Sequence, residues 1–358
     1  MLARSDPLLE VPGSAPVSPY RLPPAPALQP PPVESFPAHP ATWYLFGRSQ
    51  ALTQPVSKRM LARQLVAFRT ADGQAVVMAA SCSHMGADLG CGRVEGRQIV
   101  CPFHGWRYGP DGTCTSIPGT QEIPAFARQK TYPTVERNGY VFFFNGRTAL
   151  FPLPFFAGEN PEGFTAGRIF RYRSDCTWYV NAAHGYDTQH FDSVHDRRLV
   201  APPQIDCPTP FARRNRYRAE VVGRSNLDRI LRLTAGKHVD ISITNWGGTF
   251  VLITGDFDRV HSRFLIATQP LDDGGTLCEG IVFTPKSRSF PGRLFLDPAI
   301  LAVRRMFTHG YLKDEASRLI GTRYNRTTMI PGDRDMIDYY HWLATLPQDP
   351  PVATRPTA

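Results

Sequence analysis

The stretch Ser81–Trp106 reads SCSHMGADLGCGRVEGRQIVCPFHGW, and it carries two short pairs of residues that can bind metal. The first pair is Cys82-x-His84 and the second is Cys101-x2-His104, with sixteen residues between them. Each pair puts one thiolate and one imidazole on a short loop, and these ligands suit zinc, iron and iron–sulfur clusters. The stretch therefore predicts a centre with two Cys and two His ligands, held by two loops.

A zinc finger is one interpretation of these four residues, but zinc modules usually keep like ligands together, as C-x2-4-C and H-x3-5-H. Here each loop mixes one Cys with one His, and Pro102, Gly105 and Trp106 surround the second pair. In this pattern the chain resembles the Rieske family, in which two Cys hold one iron of a [2Fe–2S] cluster and two His hold the other. The resemblance implies that the cluster ligands are Cys82, His84, Cys101 and His104.

Two residues beside the second pair distinguish this stretch from high-potential Rieske centres. Some of those centres join their loops by a disulfide, but Phe103 stands where the second Cys would be, so Cys91 is predicted to be a free thiol. Trp106 stands where those centres carry a hydroxyl that donates to a cluster sulfur. Fewer donors stabilise the reduced cluster less, so we expect a low reduction potential within the Rieske range.

The composition is that of an ordinary globular chain of 358 residues, long enough for two domains. No run approaches eighteen apolar residues, so we expect no transmembrane helix. Asp6 and Glu10 interrupt the beginning of the chain, which therefore does not resemble a signal peptide. Seven cysteines, two of them cluster ligands, do not suggest a secreted disulfide scaffold, so a cytoplasmic setting is the default expectation.

The net charge is +9, from 40 basic and 31 acidic residues, and the basic residues cluster in three places. The clusters are Arg197-Arg198, the arginines at 213, 214, 216 and 218, and Arg304-Arg305. Solvated surface is the simplest interpretation, and a docking face for an acidic electron donor such as a ferredoxin is the functional one. No nucleic-acid-binding motif accompanies the charge, so nucleic-acid binding is not expected.

Apolar runs separated by turn residues predict an α+β chain with two domains. An all-β Rieske [2Fe–2S] domain is predicted over 40–147, and a catalytic domain with a large antiparallel sheet flanked by helices over 155–345. Residues 1–38 are predicted to be a disordered proline-rich tail, and 346–358 a loose tail. The strands predicted for the large sheet are 216–222, 238–246, 249–256, 260–269 and 276–284, and a helix is predicted over 298–324.

A second constellation follows the first domain, in the His- and Asp-rich segment 175–200. It reads Asp187-x2-His190-x4-His195. Asp187 and His190 share a helix face, but His190 and His195 reach one ion only if the helix ends or bulges between them. Two surface histidines on a polar helix are the alternative. Downstream of the Rieske pattern, however, the spacing resembles the mononuclear-iron motif of Rieske oxygenases.

That resemblance assigns roles to these residues. It implies that His190 and His195 hold an iron together with one carboxylate, an arrangement that leaves positions open for O2. It implies that Asp187 is not a ligand but an electron-transfer bridge, which accepts hydrogen bonds from His104 and His190 across a subunit boundary in a homotrimer. His184 and Asp192 either support the iron ligands from behind or are plain surface residues, and the plain interpretation is preferred. Ala183 stands where many family members carry Asn, which leaves a distal polar contact open.

The third iron ligand must be a carboxylate further along the chain. Asp314 follows Val303, Phe307 and Tyr311 at steps that place all four on one apolar helix face, where a carboxylate is costly unless it is paired or binds metal. Glu315 is expected to point away from that face. Asp314 is therefore the predicted ligand. The other candidates are Glu315, Asp333, Asp335 and Asp338.

The C-terminal residues narrow the resemblance further. Gly332-Asp333, Tyr339 and Trp342 reproduce a spacing similar to that of 3-ketosteroid 9α-hydroxylases and cholesterol 7-desaturases. This implies a terminal oxygenase that uses a [2Fe–2S] cluster, one Fe(II) and O2 to hydroxylate or desaturate a steroid- or terpenoid-like ring substrate. Electrons would come from NAD(P)H through a ferredoxin or a ferredoxin reductase. The alternatives are an aromatic-ring hydroxylase or O-demethylase, with the arginines at 213–218 pairing a carboxylate, and a Rieske electron carrier without iron catalysis.

Overall fold

The structure is a computed structural model, which describes residues 29–190, 194 and 196–348; the side chains of Leu227 and Asp314 are outside the description. The described residues divide into two compact units. The smaller unit comprises residues 37–152, 270–272 and 347–348, and the larger comprises 29–36, 153–269 and 273–346. The predicted α+β class is confirmed, since the smaller unit is built from strands and the larger combines one broad sheet with helices.

The smaller unit consists of three small antiparallel sheets. The first has the strand order β1-β11-β10, the second β2-β3-β4-β9 and the third β5-β6-β7-β8. The strands are β1 Trp43–Arg48, β2 Val56–Met60, β3 Arg63–Arg69, β4 Ala75–Ala79, β5 Arg93–Glu95, β6 Gln98–Val100, β7 Arg107–Tyr108, β8 Cys114–Ser116, β9 Thr131–Tyr132, β10 Thr134–Arg137 and β11 Tyr140–Phe144.

Alternating apolar residues give these strands their buried faces. In β3, Val66 and Phe68 point to one side and Leu65 and Ala67 to the other, because successive side chains of a strand lie on opposite faces. The first side packs in a core with Cys82, and the second packs in a separate core. The predicted ligand loops are therefore anchored on a buried apolar layer.

The larger unit is organised around an antiparallel sheet of nine strands, whose central order is β20-β19-β18-β17-β16. β12 and β13 pair with β20, and β14 and β15 pair with β16. The five strands predicted for this sheet are confirmed to within a few residues at their ends. The strands are β12 Phe164–Ala166, β13 Phe170–Ser174, β14 Arg197–Leu199, β15 Gln204–Thr209, β16 Ala212–Val221, β17 His238–Trp246, β18 Phe250–Phe257, β19 His261–Pro270 and β20 Thr276–Pro285.

The helices that accompany this sheet include α1 Trp178–Ala183, α2 Asn226–Thr234, α3 Asp297–Arg318 and α4 Arg334–Ala344. A π-helical turn, Gly292–Leu296, leads into α3, which packs against β13 and β20. The helix predicted over 298–324 is observed as α3, which ends earlier, at Arg318. None of the helices in the described residues combines the length and the apolar character that a bilayer crossing needs.

Part of the segment predicted to be a tail packs on the larger unit. Phe36 is buried and stacks on Tyr179, with 4.2 Å between the ring centroids. The hydroxyl of Tyr324 donates to the carbonyl of Pro31. Aromatic burial therefore holds residues 29–36 in place, while residues 1–28 lie outside the described part of the chain.

Candidate metal centres

The four predicted cluster ligands converge in the smaller unit. Cys82 and Cys101 are both buried, with 3% of their surface exposed. The rings of His84 and His104 lie 4.6 Å apart between centroids. The Nδ1 atom of His84 is buried and has no hydrogen-bond partner, so its lone pair or proton is unsatisfied without a ligand. The residues thus suit a group that binds two thiolates and two imidazoles, as a [2Fe–2S] cluster does.

The two ligand loops adopt the same turn. The N–H of Gly86 donates to the carbonyl of Cys82 at 2.9 Å, and the N–H of Gly105 donates to the carbonyl of Cys101 at 3.1 Å. Both glycines have positive φ, +81° and +69°, a conformation that L side chains rarely adopt. Each Cys-to-Gly turn therefore brings one thiol and one imidazole to the same side of its loop.

Tyr108 is a cluster-site residue that the sequence interpretation missed. Its hydroxyl lies 3.0 Å from Sγ of Cys82 and 3.0 Å from Oγ of Ser83. Burial raises the pKa of the Cys82 thiol, and the contact with Tyr108 opposes that rise. The expectation that Trp106 leaves the cluster short of hydroxyl donors is therefore incomplete, because Tyr108, at the end of β7, places a hydroxyl beside Cys82. Trp106 itself stacks on His84, with 4.5 Å between centroids.

Cys91 is an exposed free thiol, as predicted. The other cysteines outside the two ligand loops are also free, in buried or half-buried positions: Cys114, Cys176, Cys207 and Cys278.

A second cluster of metal-binding side chains lies in the larger unit. It consists of His184, His190 and Glu315, and one possible ligand atom from each lies within 4.8 Å of the others. The rings of His184 and His190 are 4.3 Å apart between centroids, and Nε2 of His184 is 3.7 Å from Oε1 of Glu315. Two imidazoles and one carboxylate are the donor set of non-haem Fe(II) sites.

The position of His184 corrects the interpretation that it is a plain surface residue. It begins the 3-10 turn His184–Tyr186 directly after α1. The sheet holds this turn in place, because the amide of Asn215 donates to the carbonyl of Gly185 and the hydroxyl of Tyr186 donates to the carbonyl of Arg213. The side chain of His184 is only 19% exposed, since it faces inward.

The predicted bridge residue, Asp187, lies beside His190. Nδ1 of His190 is 2.6 Å from the carbonyl oxygen of Asp187 and 3.8 Å from its Oδ2. His190 is buried, and burial lowers its pKa, while the charge of Asp187 opposes that shift. A carbonyl or carboxylate at Nδ1 favours the tautomer that leaves Nε2 available to bind metal.

The carboxylate candidates fall into different surroundings. Glu315 lines the large cavity of this unit together with Phe307 and Tyr311, so the expectation that it points away from their face is wrong. Glu315 follows Tyr311 by four residues, and a step of four along a helix returns to the same face as well as a step of three does. Burial raises the pKa of Glu315 to about 7, because the charged carboxylate loses its hydration. His195 and the side chain of Asp314 lie outside the described residues.

The three remaining candidates, Asp333, Asp335 and Asp338, do not belong to this cluster. Asp333 accepts a hydrogen bond from the side chain of Gln189 at 2.9 Å and another from the N–H of Ile330. Burial raises the pKa of Asp335, and the neighbouring Asp338 adds to the shift. None of the three belongs to a metal-binding group in the described part of the chain.

A cavity of about 830 Å³ adjoins His184, His190 and Glu315. Alternate residues of β17, β18 and β19 form its floor, for example Ile241, Ile253 and Phe264, because one face of the sheet turns toward it. Helices α2 and α3 supply other walls. Its size is at the upper end of ordinary small-molecule pockets, and its lining is predominantly apolar.

The arginines predicted as a possible carboxylate site are not part of this cavity's lining. Arg214 and Arg216 bind Asp206, with closest distances of 2.7 and 3.0 Å, and Arg218 lies 3.7 Å from Asp240. Arg213 donates to the carbonyl of Asp338. These arginines therefore contact acidic side chains or a backbone carbonyl of the larger unit.

Comparison with known proteins agrees with this organisation. Residues 42–132 match the family described as "Rieske [2Fe-2S] domain". Aminopyrrolnitrin oxygenase PrnD of Pseudomonas fluorescens is 38% identical over 43% of this chain and 46% of its own length. The oxygenase component of 3-ketosteroid-9-alpha-monooxygenase of Rhodococcus rhodochrous is 31% identical over 44% of this chain and 39% of its own.

Cholesterol 7-desaturase nvd of Xenopus laevis is 35% identical over 46% of this chain and 38% of its own length. The chain thus aligns with less than half of the length of each of these relatives. Among solved structures, dicamba monooxygenase bound to dicamba has a TM-score of 0.58 at 17% identity, covering 85% of this chain and 97% of that one. Residues 42–132 are therefore a Rieske [2Fe–2S] domain, in a chain that shares the fold of dicamba monooxygenase and is similar in sequence to steroid and sterol oxygenase components.

Proposed function

We propose that this chain is a terminal oxygenase that hydroxylates or desaturates an apolar ring substrate. The observation that carries the proposal is the cavity of about 830 Å³, lined by apolar side chains, beside His184, His190 and Glu315. A Rieske domain in the same chain gives such a site a source of single electrons. A carrier without oxygen chemistry has no use for this cavity and the side chains at its edge.

The residues present suit both cofactors that the proposal requires. Cys82, His84, Cys101 and His104 would hold the [2Fe–2S] cluster. His190 would hold Fe(II) with one carboxylate and a second imidazole, either His195, as the resemblance implies, or His184, which lies beside it. When bound, the cluster and the Fe(II) supply one-electron transfer and O2 activation at neutral pH.

The protein's own contribution is positioning and exclusion of water. The sheet face carrying Ile241 and Ile253 removes apolar ring surface from water, which favours binding by roughly 25 cal/mol for each Å² buried. The Asp187 carbonyl fixes the ring of His190 through Nδ1. The substrate is held by apolar contact and does not itself need to be a ligand, so one C–H bond is oriented by cavity shape.

Asp187 is proposed to have a second role in electron transfer. The resemblance implies that its carboxylate joins His190 to His104 of the partner subunit in a homotrimer. Its Oδ2 is 3.8 Å from Nδ1 of His190, and its Oδ1 accepts from the N–H of Gln189, so these contacts orient the carboxylate. The electrons are proposed to enter from a ferredoxin or a reductase that draws on NAD(P)H.

Product identification tests the proposal. The chain, loaded with iron and supplied with a surrogate ferredoxin, reductase, NADH and O2, is incubated with a panel of steroids and a panel of single-ring aromatic acids. We expect a hydroxylated or desaturated steroid, found by mass spectrometry and absent with His190→Ala. Turnover of the single-ring acids alone would favour the aromatic hydroxylase or O-demethylase. Absence of any iron-dependent product would favour the electron carrier.

A further inference from the structure

Arg304 is a cationic side chain in the lining of the apolar cavity. Its Nη1 is shielded from water and has no hydrogen-bond partner, and no hydrogen bond or ion pair of Arg304 is found among the described residues. Arg304 as a whole is only partly buried, but taking part of a charged group out of water without a partner is still costly. Among the described residues, therefore, no acidic side chain compensates the charge of Arg304.

The surroundings of Arg304 add to this cost. Desolvation lowers its pKa, and the positive charge of Arg263 lowers it further. The carboxylates nearest to Arg263 are already used, since Arg263 binds Glu159 at 2.8 Å and Asp256 at 2.6 Å. An anion bound at Arg304 would compensate for its lost hydration and for the repulsion by Arg263.

The other cavity arginine behaves differently. Arg197 lies 3.0 Å from Asp228, and both side chains are almost fully shielded, at 13% and 11% exposed. Its charge is therefore compensated within the protein. Arg304 has no such partner among the described residues, which makes it the arginine of the lining that is available to a bound molecule.

The position of Arg304 sets the length of that molecule. Arg304 and Glu315 lie on the same helix, α3, and both line the cavity. Eleven residues separate them, which is about 16 Å along the axis at about 1.5 Å per residue. Glu315 marks the metal-binding end, so Arg304 marks the far end. A single-ring acid is too short to occupy both ends, whereas a fused-ring skeleton with an acidic side chain can span them.

We propose that Arg304 binds a carboxylate at the end of an elongated, fused-ring substrate, opposite the carbon that is oxidised. This inference rests on the proposed function, because it takes the His190–Glu315 end of the cavity as the reaction site. A guanidinium binds a carboxylate through two parallel N–H bonds, which would fix the molecule along the cavity axis as well as add affinity. Arg304 would then choose which ring carbon faces the metal-binding end.

Binding measurements on the chain without turnover test the proposal. The probes are lithocholic acid, a fused four-ring acid, and its methyl ester, which has the same skeleton without the charge; benzoate is the short acid. Isothermal calorimetry gives the affinity of each for the wild type, Arg304→Gln, Arg304→Lys and Arg305→Gln. Arg305 is the matched control, because it neighbours Arg304 but donates to the carbonyls of Arg168 and Ile169 instead.

We expect the wild type to bind the acid about 10-fold to about 100-fold more tightly than the ester, the range for a hydrogen bond to a charged group. Arg304→Gln should abolish the preference while leaving the ester unchanged, Arg304→Lys should keep part of it, and Arg305→Gln should keep all of it. Benzoate should bind weakly to every variant. Equal binding of acid and ester by the wild type, no binding of either, or an equal loss of both in Arg304→Gln would overturn the inference.

The two proposals fail separately. Neutral steroids that are oxidised by wild type and by Arg304→Gln, without any preference for the acid, would refute the role of Arg304 and leave the oxygenase standing. An acid preference that depends on Arg304, in a chain that forms no oxidised product from any ring compound, would refute the oxygenase and leave the binding site standing.

Discussion

The two candidate metal centres differ in how far along the chain their ligands are spread. The cluster ligands of the smaller unit lie on two loops of one stretch, between Cys82 and His104. The second centre joins His184 and His190 to Glu315, which lies on a helix after the whole large sheet. Loops of short span fix their ligands by local turns, whereas distant ligands depend on sheet register and helix phase. The second centre should therefore be the easier one to perturb from a distance.

The largest expected effect is at the local centre. Cys101→Ser removes one thiolate from the cluster site, and the visible absorption and the electron paramagnetic resonance signal of a Rieske cluster should be lost completely. Cys91→Ser is the matched control, because Cys91 is an exposed free thiol between the same two loops, and it should keep both signals. Retention of the signals in Cys101→Ser would break the assignment of the local centre.

The second prediction concerns the distant centre. We expect three irons per chain in the wild type and two in His190→Ala, measured by elemental analysis, while the Rieske signal stays. The same iron measurement on three further variants decides which side chains complete the site. These variants are His184→Ala, Glu315→Gln and Asp314→Asn. His309→Ala is the control, since His309 is on the same helix but packs against Phe170. Two irons in the wild type would indicate an electron carrier.

The third prediction is a pH dependence of the metal-free protein. The pKa of Glu315 is raised from 4.5 to about 7, so between these values the folded state holds a proton that the unfolded state has lost. The contribution of Glu315 to the free energy of unfolding is fully present below about pH 4.5 and is lost as the pH rises through about 7. Relative to Glu315→Gln, the wild type should lose up to about 3 kcal/mol of unfolding free energy between about pH 5 and about pH 8.

Urea denaturation of the metal-free wild type and Glu315→Gln at both pH values measures this difference. The difference between their free energies of unfolding should change as the pH rises, because Glu315 ionises and glutamine does not. A constant difference would mean that Glu315 is already ionised in the folded state at low pH, and that its surroundings are more polar than the geometry indicates.

The smallest expected effect returns to the local centre. Tyr108→Phe removes a hydroxyl at 3.0 Å from Sγ of Cys82 and should lower the reduction potential, because a net hydrogen bond contributes about 1 kcal/mol. Protein-film voltammetry measures the change. Ser83→Ala is the comparison variant, as its hydroxyl reaches Tyr108 rather than the sulfur and should change the potential less. An unchanged potential in Tyr108→Phe would remove Tyr108 from the set of donors.

Much of the fold was predictable because its signals are short-range. The five apolar runs predicted for the large sheet correspond to β16 to β20, since alternation along a strand is set by which face is buried. Tyr108 was missed although it is close in sequence, because the contact with Cys82 depends on the pairing of β6 with β7.

The sequence by itself determined the local centre: two Cys/His pairs and the absence of a second loop cysteine. It also placed Asp187 beside His190, because three residues are less than one helical turn. Only the tertiary structure decided that His184 turns inward and that Glu315 lines the cavity. The physical reason is rotation: each helical residue turns by about 100°, so neighbours such as Asp314 and Glu315 are separated by phase, which only packing settles. Packing also shields Nη1 of Arg304 from water without giving it a hydrogen-bond partner among the described residues, because residues distant in sequence surround it only in the folded chain.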